Sequence, residues 1–327
     1  MNLIKSTLII APAAILFMAC GGKQTQQADA DTQSQPPLQH TQYGNINRHY
    51  IYSPEMGDTI TIDVWTPEGF DASASGRYPV IVMHDGQNLY DATTTWNQQA
   101  WEVDSVASAL IAAGEISAPV IIGVHSVAET RKGDLMPEKA FDYISVEADS
   151  ALNDFKGAYP LRGSAYAKFI ATTLRDALTA EYNLTTNPDS TFVMGSSMGG
   201  LMSVYALTEY PEVFGAAACL STHWIGTVDG DPTFANAMYT YLAENLPRDG
   251  RHRLYLDHGT ETLDSLYIEA SPRFAHLADS LGYTTPATDS IGRMRFEYYV
   301  DKGGAHEERS WAARVDRPLR FLLGKSK

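Results

Sequence analysis

The 327-residue chain contains only two cysteines, Cys20 and Cys219. A single pair cannot supply a disulfide framework or a cysteine-rich zinc site, and the apolar run around Cys219 indicates a buried structural thiol. Basic residues are also scarce, since 24 Lys and Arg face 39 Asp and Glu for a formal net charge of −15. Nucleic acids and anionic membrane surfaces are bound by clustered Lys and Arg, so this balance argues against both as partners.

The apolar stretch at residues 8–19 is too short for a membrane-spanning helix. Because it follows Lys5, it is typical of the apolar region of a secretory signal peptide. It runs into Phe-Met-Ala-Cys-Gly at residues 17–21, which resembles a bacterial lipobox. Residues 1–19 are therefore predicted to be a lipoprotein signal peptide with Cys20 lipidated, and a plain signal peptide is the alternative. Either reading places the protein outside the cytoplasm.

Residues 20–44 are rich in Gln, Thr, Asp and Ala and have almost no large apolar side chain. This composition predicts a flexible tether. Residues 45–327 are enough for one large α/β domain. Apolar–polar alternation at residues 46–53 and 59–66 predicts an antiparallel hairpin at its start.

Strand and helix patterns alternate through the rest of the chain, which predicts a mostly parallel sheet with helices on both faces. Strands are expected at residues 79–84, 118–124, 191–194, 214–220, 253–257 and 294–300. Helices are expected at residues 101–113, 164–182, 201–210, 272–281 with Pro272 in the first turn, and 311–323 with a possible break near Pro318. Residues 134–156 are expected to form a long loop.

A Gly-Ser-Ser-Met-Gly motif at residues 195–199 joins a predicted strand to a predicted helix. That context is typical of a nucleophile elbow, a strained turn that exposes a serine. Ser197 has glycines two residues before and two after it, whereas Ser196 has methionines there. Ser197 is therefore the candidate nucleophile. A serine attacks efficiently only when a base takes its proton and an acid orients that base.

The base and the acid are expected to follow the last two strands, in the order serine, acid, histidine. His306 follows the last predicted strand and is the candidate base. The loop at residues 259–264 offers two carboxylates, Glu261 and Asp264. Asp264 is preferred narrowly as the acid, with Glu261 as the alternative.

Acyl transfer also needs two backbone N–H groups to bind the oxyanion, and losing one typically costs about 3 kcal/mol. Met198 follows the nucleophile and Gln87 follows an early central strand, so their N–H groups are the candidates. Loops at the carboxyl ends of the strands should line the substrate pocket. Candidate substrate contacts are Asn88, Trp96, Trp101, His223 and Trp224. The histidine spacing predicts no metal site, and no cofactor is implied.

Four stretches together resemble the Putative esterase branch of the α/β-hydrolases, namely residues 83–91, 136–139, 195–200 and 304–311. This branch includes feruloyl and acetyl-xylan esterases of carbohydrate esterase family 1, siderophore esterases, S-formylglutathione hydrolase and mycolyltransferases. The resemblance implies Ser197 as nucleophile, His306 as base, and Gln87 and Met198 as oxyanion donors. Many members carry the acid where this chain has Thr262, and the segment beginning at Asp264 matches theirs if two residues are inserted.

The resemblance implies a serine carboxylester hydrolase that works through an acyl-enzyme. The expected substrates are acyl or feruloyl esters of carbohydrate, or a siderophore ester. One alternative is acyl transfer to a sugar or lipid, as in the mycolyltransferases. Another is a non-catalytic carbohydrate-binding lipoprotein on a hydrolase scaffold. The expected partner is a small-molecule or polysaccharide ester, with membrane contact only through the N-terminal lipid.

Overall fold

The computed structural model describes residues 36–145, 158–226, 232–285, 287–290 and 292–325. Within these ranges eight strands form one sheet. In chain order they are β1 (Asn45–Ser53), β2 (Asp58–Thr66), β3 (Val80–His84), β4 (Val120–Val124), β5 (Thr191–Ser196), β6 (Ala216–Leu220), β7 (Arg253–His258) and β8 (Phe296–Val300). Their order across the sheet is β1-β2-β4-β3-β5-β6-β7-β8.

The sheet is parallel from β4 to β8, and β1 and β2 extend one edge of it in antiparallel register. This confirms the predicted fold class and the N-terminal hairpin. Strands β3 to β7 are buried along their whole length. Their near-continuous apolar runs are therefore explained by helices that cover both faces of the sheet.

The described helices are α1 (Val103–Ala112), α2 (Arg131–Asp134), α3 (Gly163–Ala171), α4 (Thr173–Thr179), α5 (Met198–Glu209), α6 (Pro232–Asn245), α7 (Tyr267–Ser280), α8 (Glu308–Ala312) and α9 (Asp316–Leu323). Helices α3 to α7 pack on one face of the sheet, and α1, α8 and α9 pack on the other. Successive side chains of a strand point to opposite faces of the sheet. Val82 therefore packs in the core under α3 to α7, and Met83 packs in the core under α1, α8 and α9.

Several helices differ from the prediction. The helix expected at residues 164–182 is broken at Thr172, whose φ of −122° and ψ of −84° leave the helical region. Pro272 is the sixth residue of α7 rather than part of its first turn, because the 3₁₀ helix Thr262–Leu266 leads directly into Tyr267. The closing helix is divided into α8 and α9, and Pro318 occupies the first turn of α9, where its missing N–H costs nothing.

Two further segments also depart from the prediction. Helix α6 has no counterpart in the sequence analysis. The loop expected at residues 134–156 contains the end of α2 and the 3₁₀ helix Glu138–Tyr143, and its residues 146–157 lie outside the described ranges.

The predictions for the N-terminus fall mostly outside the described residues, since residues 1–35 include the predicted signal peptide and Cys20. One compact unit begins at Pro37, eight residues before the predicted domain boundary. In the described part of the chain, no helix has the length and apolarity needed to cross a bilayer.

Candidate active site

Ser197 lies at the tight turn between β5 and α5. Its φ of 57° and ψ of −122° are rarely adopted by a residue that carries a side chain, as expected of a nucleophile elbow. The turn is possible because a Cβ on Gly195 would stand only 2.8 Å from the carbonyl carbon of Gly199. The Ser197 N–H donates to the Leu220 carbonyl at 2.9 Å, which fixes the turn at the carboxyl edge of the sheet.

His306 is paired with Asp264. The imidazole Nδ1 lies 2.6 Å from the Asp264 Oδ1, and the aspartate is fully buried. The other candidate acid, Glu261, is exposed and has no hydrogen bond to His306 among the described contacts. The structure therefore brings Asp264, and not Glu261, to the candidate base.

The loops that carry the candidate acid and the candidate base are connected by backbone hydrogen bonds. The N–H groups of Thr260 and Glu261 both donate to the Gly304 carbonyl at 2.9 Å, and the His306 N–H donates to the Thr262 hydroxyl at 2.8 Å. Thr262 has a φ of 52°, and this turn directs the chain so that Asp264 faces inward. The spacing between Asp264 and His306 is thus set by main-chain contacts.

Asp264 is held in its ionised form. Burial raises the pKa of this carboxyl, but hydrogen bonds from His306 and Ser221 outweigh burial and bring the pKa below its ordinary value. The Gly259 N–H also donates to Asp264, at 2.5 Å. An ionised acceptor at Nδ1 favours the tautomer with the proton on Nδ1, which leaves Nε2 free to accept the serine proton.

Buried side chains of neighbouring segments contact the Asp264–His306 pair and restrain its position. The Ser221 hydroxyl donates to Asp264 and accepts hydrogen bonds from Trp311 Nε1 and Arg314 Nη2, each at 2.9 Å. The Trp311 ring also meets the His306 ring edge-on, with centroids 5.1 Å apart.

Tyr267 and His223 flank the candidate nucleophile Ser197. The Tyr267 hydroxyl lies 2.7 Å from His223 Nδ1, and its ring meets His306 edge-on at 5.7 Å. Burial raises the pKa of Tyr267 far above its ordinary value, and a hydrogen bond with the Ser197 side chain offsets part of that rise. Burial and the nearby His306 lower the pKa of His223 to about 4, so His223 is neutral at physiological pH.

No described hydrogen bond joins Ser197 to His306 in this structure. Catalytic hydrogen bonds are often long in the absence of substrate and tighten in the complex.

The two candidate oxyanion donors come from adjacent segments. Gln87 belongs to the 3₁₀ helix Gly86–Asn88 after β3, and Met198 is the first residue of α5. N–H groups in a first turn have no partner within their helix, and no described backbone hydrogen bond supplies one. A Cβ on Gly199 would lie 3.1 Å from the His84 side chain, so the start of α5 lies against the end of β3.

Residues 53–322 match the profile of the family described as Putative esterase. The chain belongs to this family. Membership places it among ester hydrolases.

The chain is also similar to individual proteins. It is 22% identical over 258 residues to the uncharacterized protein YbbA of Bacillus subtilis, covering 77% of this chain and 88% of that protein. An enterobactin esterase from Shigella flexneri superposes with a TM-score of 0.62 at 15% identity over 87% of this chain, which spans only 60% of that enzyme. A ferulic acid esterase superposes with a TM-score of 0.60 at 15% identity, over 86% of this chain and 98% of that one. At these identities the superpositions establish the fold.

The five residues predicted to contact substrate do not share one environment in this esterase. Trp224 is fully buried against Tyr239 and Phe274, and Trp101 is 3% exposed and packs on Trp311. Both indoles are therefore core residues with almost no surface to offer a substrate, which corrects the prediction.

The other three differ in how much of the side chain is accessible. Trp96 is 86% exposed, His223 is partly exposed, and Asn88 is buried with its amide donating to Glu308 at 3.2 Å. Of the five, Trp96 and His223 present the most accessible side-chain surface.

Three residues around the site are not predicted from the sequence in these roles, namely Ser221, Tyr267 and Arg314. Ser221 directly follows β6, a position at which functional side chains collect, so its location is a usable signal. Tyr267 begins α7 and Arg314 lies in the turn between α8 and α9, and neither belongs to a local motif. Among the described residues, no cluster of three His, Cys, Asp or Glu side chains could hold a metal ion.

Proposed function

We propose that the chain is a serine carboxylester hydrolase that acts through an acyl-enzyme. The observation that carries the proposal is the 2.6 Å contact between His306 and the buried Asp264, on the same sheet edge as the strained Ser197. A nucleophile, an oriented base and an ionised acid are the groups that acyl transfer requires.

In the first half-reaction the Ser197 Oγ forms a bond to the ester carbonyl carbon. Its proton passes to His306 Nε2, and the carbonyl π pair moves to the oxygen. The N–H groups of Gln87 and Met198 stabilise that oxyanion, and Asp264 stabilises the imidazolium. When the oxyanion collapses, the bond to the alcohol oxygen breaks and His306 protonates the alcohol.

In the second half-reaction water replaces the alcohol. His306 takes a proton from water, whose oxygen attacks the acyl carbon, and then returns a proton to Ser197 as the acid leaves. The low pKa of Asp264 supports this cycle, because the aspartate keeps its charge while the imidazole gains and loses one.

The substrate we propose is an acyl or feruloyl ester of a carbohydrate, or a siderophore ester. Similarity in fold to an enterobactin esterase and a ferulic acid esterase favours an ester of this kind. We further propose that residues 1–19 direct export and that Cys20 carries a lipid anchor. Incorporation of labelled palmitate that is lost in Cys20→Ser would support the anchor, and equal labelling of both proteins would refute it.

The experiment compares Ser197→Ala with Ser196→Ala, a matched change one residue away at the end of β5. Hydrolysis of p-nitrophenyl acetate and labelling by a fluorophosphonate should vanish in Ser197→Ala and persist in Ser196→Ala. Activity retained by Ser197→Ala would disprove the nucleophile. A panel of acetylated xylan, methyl ferulate and a trilactone siderophore would identify the ester, and an added acceptor alcohol would reveal acyl transfer.

A further inference from the structure

A short N-terminal arm, residues 37–44, lies on the folded domain ahead of β1. Composition predicts this segment to be part of a flexible tether, yet it is bound at several points. The His40 N–H donates to Asp91 at 3.0 Å, the Thr41 hydroxyl donates to Asp104 at 2.7 Å, and Trp65 Nε1 donates to the Tyr43 carbonyl at 2.7 Å.

Gln39 is the buried residue of this arm, with only 3% of its surface exposed. Its Nε2 donates to the Gly86 carbonyl and to Asp63 Oδ2, each at 2.8 Å, and its Oε1 accepts from the Tyr90 N–H at 3.1 Å. Both amide hydrogens and the amide oxygen are used, which determines the orientation of the group. The amide therefore spans the loop that contains Gln87.

The contact with Gly86 bears directly on the candidate oxyanion donor. The Gly86 carbonyl and the Gln87 N–H belong to one planar trans peptide unit and point in opposite directions. A hydrogen bond to the carbonyl therefore restrains the direction of the N–H. It also polarises the unit, because hydrogen bonds in a chain strengthen one another.

The same peptide unit is restrained from other sides. A Cβ on Gly86 would stand 2.4 Å from the Gly123 backbone, so the loop lies directly on β4. The Gln87 side chain exchanges two hydrogen bonds with Ser126, at 2.9 and 3.0 Å. Gln39 supplies the contact at the carbonyl end.

A buried ion cluster holds the Gln39 amide in turn. Asp63 is fully buried and accepts from Arg48 at 2.7 Å as well as contacting His125 at 2.8 Å. Burial raises the pKa of Asp63, but the hydrogen bonds from Arg48 and His125 outweigh it and hold the pKa far below its ordinary value. The ionised carboxylate is a strong acceptor for the Gln39 amide.

We propose that Gln39 is a positioning residue for the oxyanion hole, acting through the Gly86–Gln87 peptide unit. The inference rests on the proposed function, since it assigns the Gln87 N–H to the oxyanion. It makes the arm ahead of β1 part of the catalytic apparatus, although no arm residue need touch the substrate.

The test replaces Gln39 with methionine, which has similar length and no donor. Gln42→Met is the matched control, because it makes the same change three residues later at an exposed side chain. With p-nitrophenyl acetate, kcat of Gln39→Met should fall about tenfold, less than the loss typical when a donor is removed outright. KM should stay within about threefold, and Gln42→Met should match the wild type.

A second readout separates positioning from general destabilisation. An aryl trifluoromethyl ketone adds to the serine and places an oxyanion in the hole, so its inhibition constant should rise in parallel with the fall in kcat/KM. Gln39→Asn keeps an amide on a shorter stem and should show the same direction of change if Gln39→Met does not fold.

The outcomes distinguish the two proposals. A wild-type protein that hydrolyses no ester would overturn the proposed function and this inference together. An active wild type with unchanged kcat and unchanged ketone inhibition in a folded Gln39 variant would overturn this inference alone. Equal effects of Gln39→Met and Gln42→Met would do the same.

Discussion

The Ser221 hydroxyl donates a 2.5 Å hydrogen bond to Asp264, at the carboxylate oxygen that does not contact His306. Each oxygen of the buried carboxylate thus has a polar partner. This matters because a buried carboxylate without partners would take up a proton and lose its ability to stabilise an imidazolium. The ionised state of Asp264 is therefore a property of its surroundings, and those surroundings can be altered one group at a time.

Ser221→Ala should raise the pKa of Asp264 and lower kcat about tenfold. A hydrogen bond to a charged group contributes about 1.5–3 kcal/mol, so the free energy of unfolding at pH 7 should fall by that order. Because the folded pKa of Asp264 lies below its unfolded value, this stability is present above the unfolded pKa and is lost as pH falls through the folded one.

Urea unfolding at several pH values measures this effect. The difference in unfolding free energy between wild type and Ser221→Ala should be full at pH 7 and should begin to shrink only below about pH 4, as the pH approaches the folded pKa of Asp264. Ser265→Ala, at an exposed residue next to Asp264, is the control. A difference that does not shrink at all as the pH falls from about 4 through the acid range would show that the Asp264 charge is not involved.

Asp264→Asn should lower kcat by roughly 10³–10⁴, because an amide cannot hold the required imidazole tautomer or stabilise its charge. Glu261→Gln should stay within about twofold of the wild type, since Glu261 is exposed. Steady-state hydrolysis of p-nitrophenyl acetate by both variants is the measurement. The reverse ranking would assign the acid to Glu261.

Mild acid should destabilise the fold through two histidines, the buried His84 and the partly exposed His223. Burial is the main reason that each has a pKa lowered to about 4. The unfolded chain binds protons below about pH 6.5 while the folded chain does not, so stability falls as pH decreases from about 6.5 to about 4. The expected loss between pH 7 and pH 5 is about 2 kcal/mol for each histidine.

Denaturant titrations at pH 7 and pH 5 test the contribution of His84. His84→Gln removes one titrating group and should shrink the difference between the two pH values by about 2 kcal/mol. His276→Gln, at an exposed residue of α7, should leave the difference unchanged. An undiminished difference in His84→Gln would exclude His84 as a source.

Trp96 and Trp224 should respond oppositely to alanine substitution. Trp96→Ala should leave the melting temperature unchanged, because the indole is 86% exposed, and it should raise KM for methyl ferulate, because Trp96 is a predicted substrate contact. Trp224→Ala should cost about 3–5 kcal/mol of stability, since it empties a fully buried position. Calorimetry together with KM values tests both, and an unchanged KM in Trp96→Ala would remove Trp96 from the substrate contacts.

The features predictable from the sequence are those that depend on local pattern. Apolar runs of strand length predict the sheet, because a strand covered by helices on both faces has apolar side chains on both faces. The elbow around Ser197 is local as well, since Gly195 and Gly199 satisfy its steric demand within five residues. His306 follows from chain order alone.

The remaining features depend on contacts between distant segments. The choice between Glu261 and Asp264 depends on the turn at Thr262, which has a positive φ. Threonine does not favour a positive φ, so this turn cannot be predicted from the local sequence. Trp224 and Trp96 both follow strands, and only packing against α6 and α7 buries the first of them. Gln39 lies in a polar segment, so no composition rule indicates its burial among Asp63, Gly86 and Tyr90.

The backbone ties between residues 259–264 and 303–306 have a consequence for local unfolding. Thr260, Glu261 and His306 all donate across the two loops, so neither loop can detach without releasing the other. Segments coupled in this way open as one cooperative unit, and their amide hydrogens exchange with solvent at a common free energy. We therefore expect the candidate acid Asp264 and the candidate base His306 to be lost or retained together when these loops open.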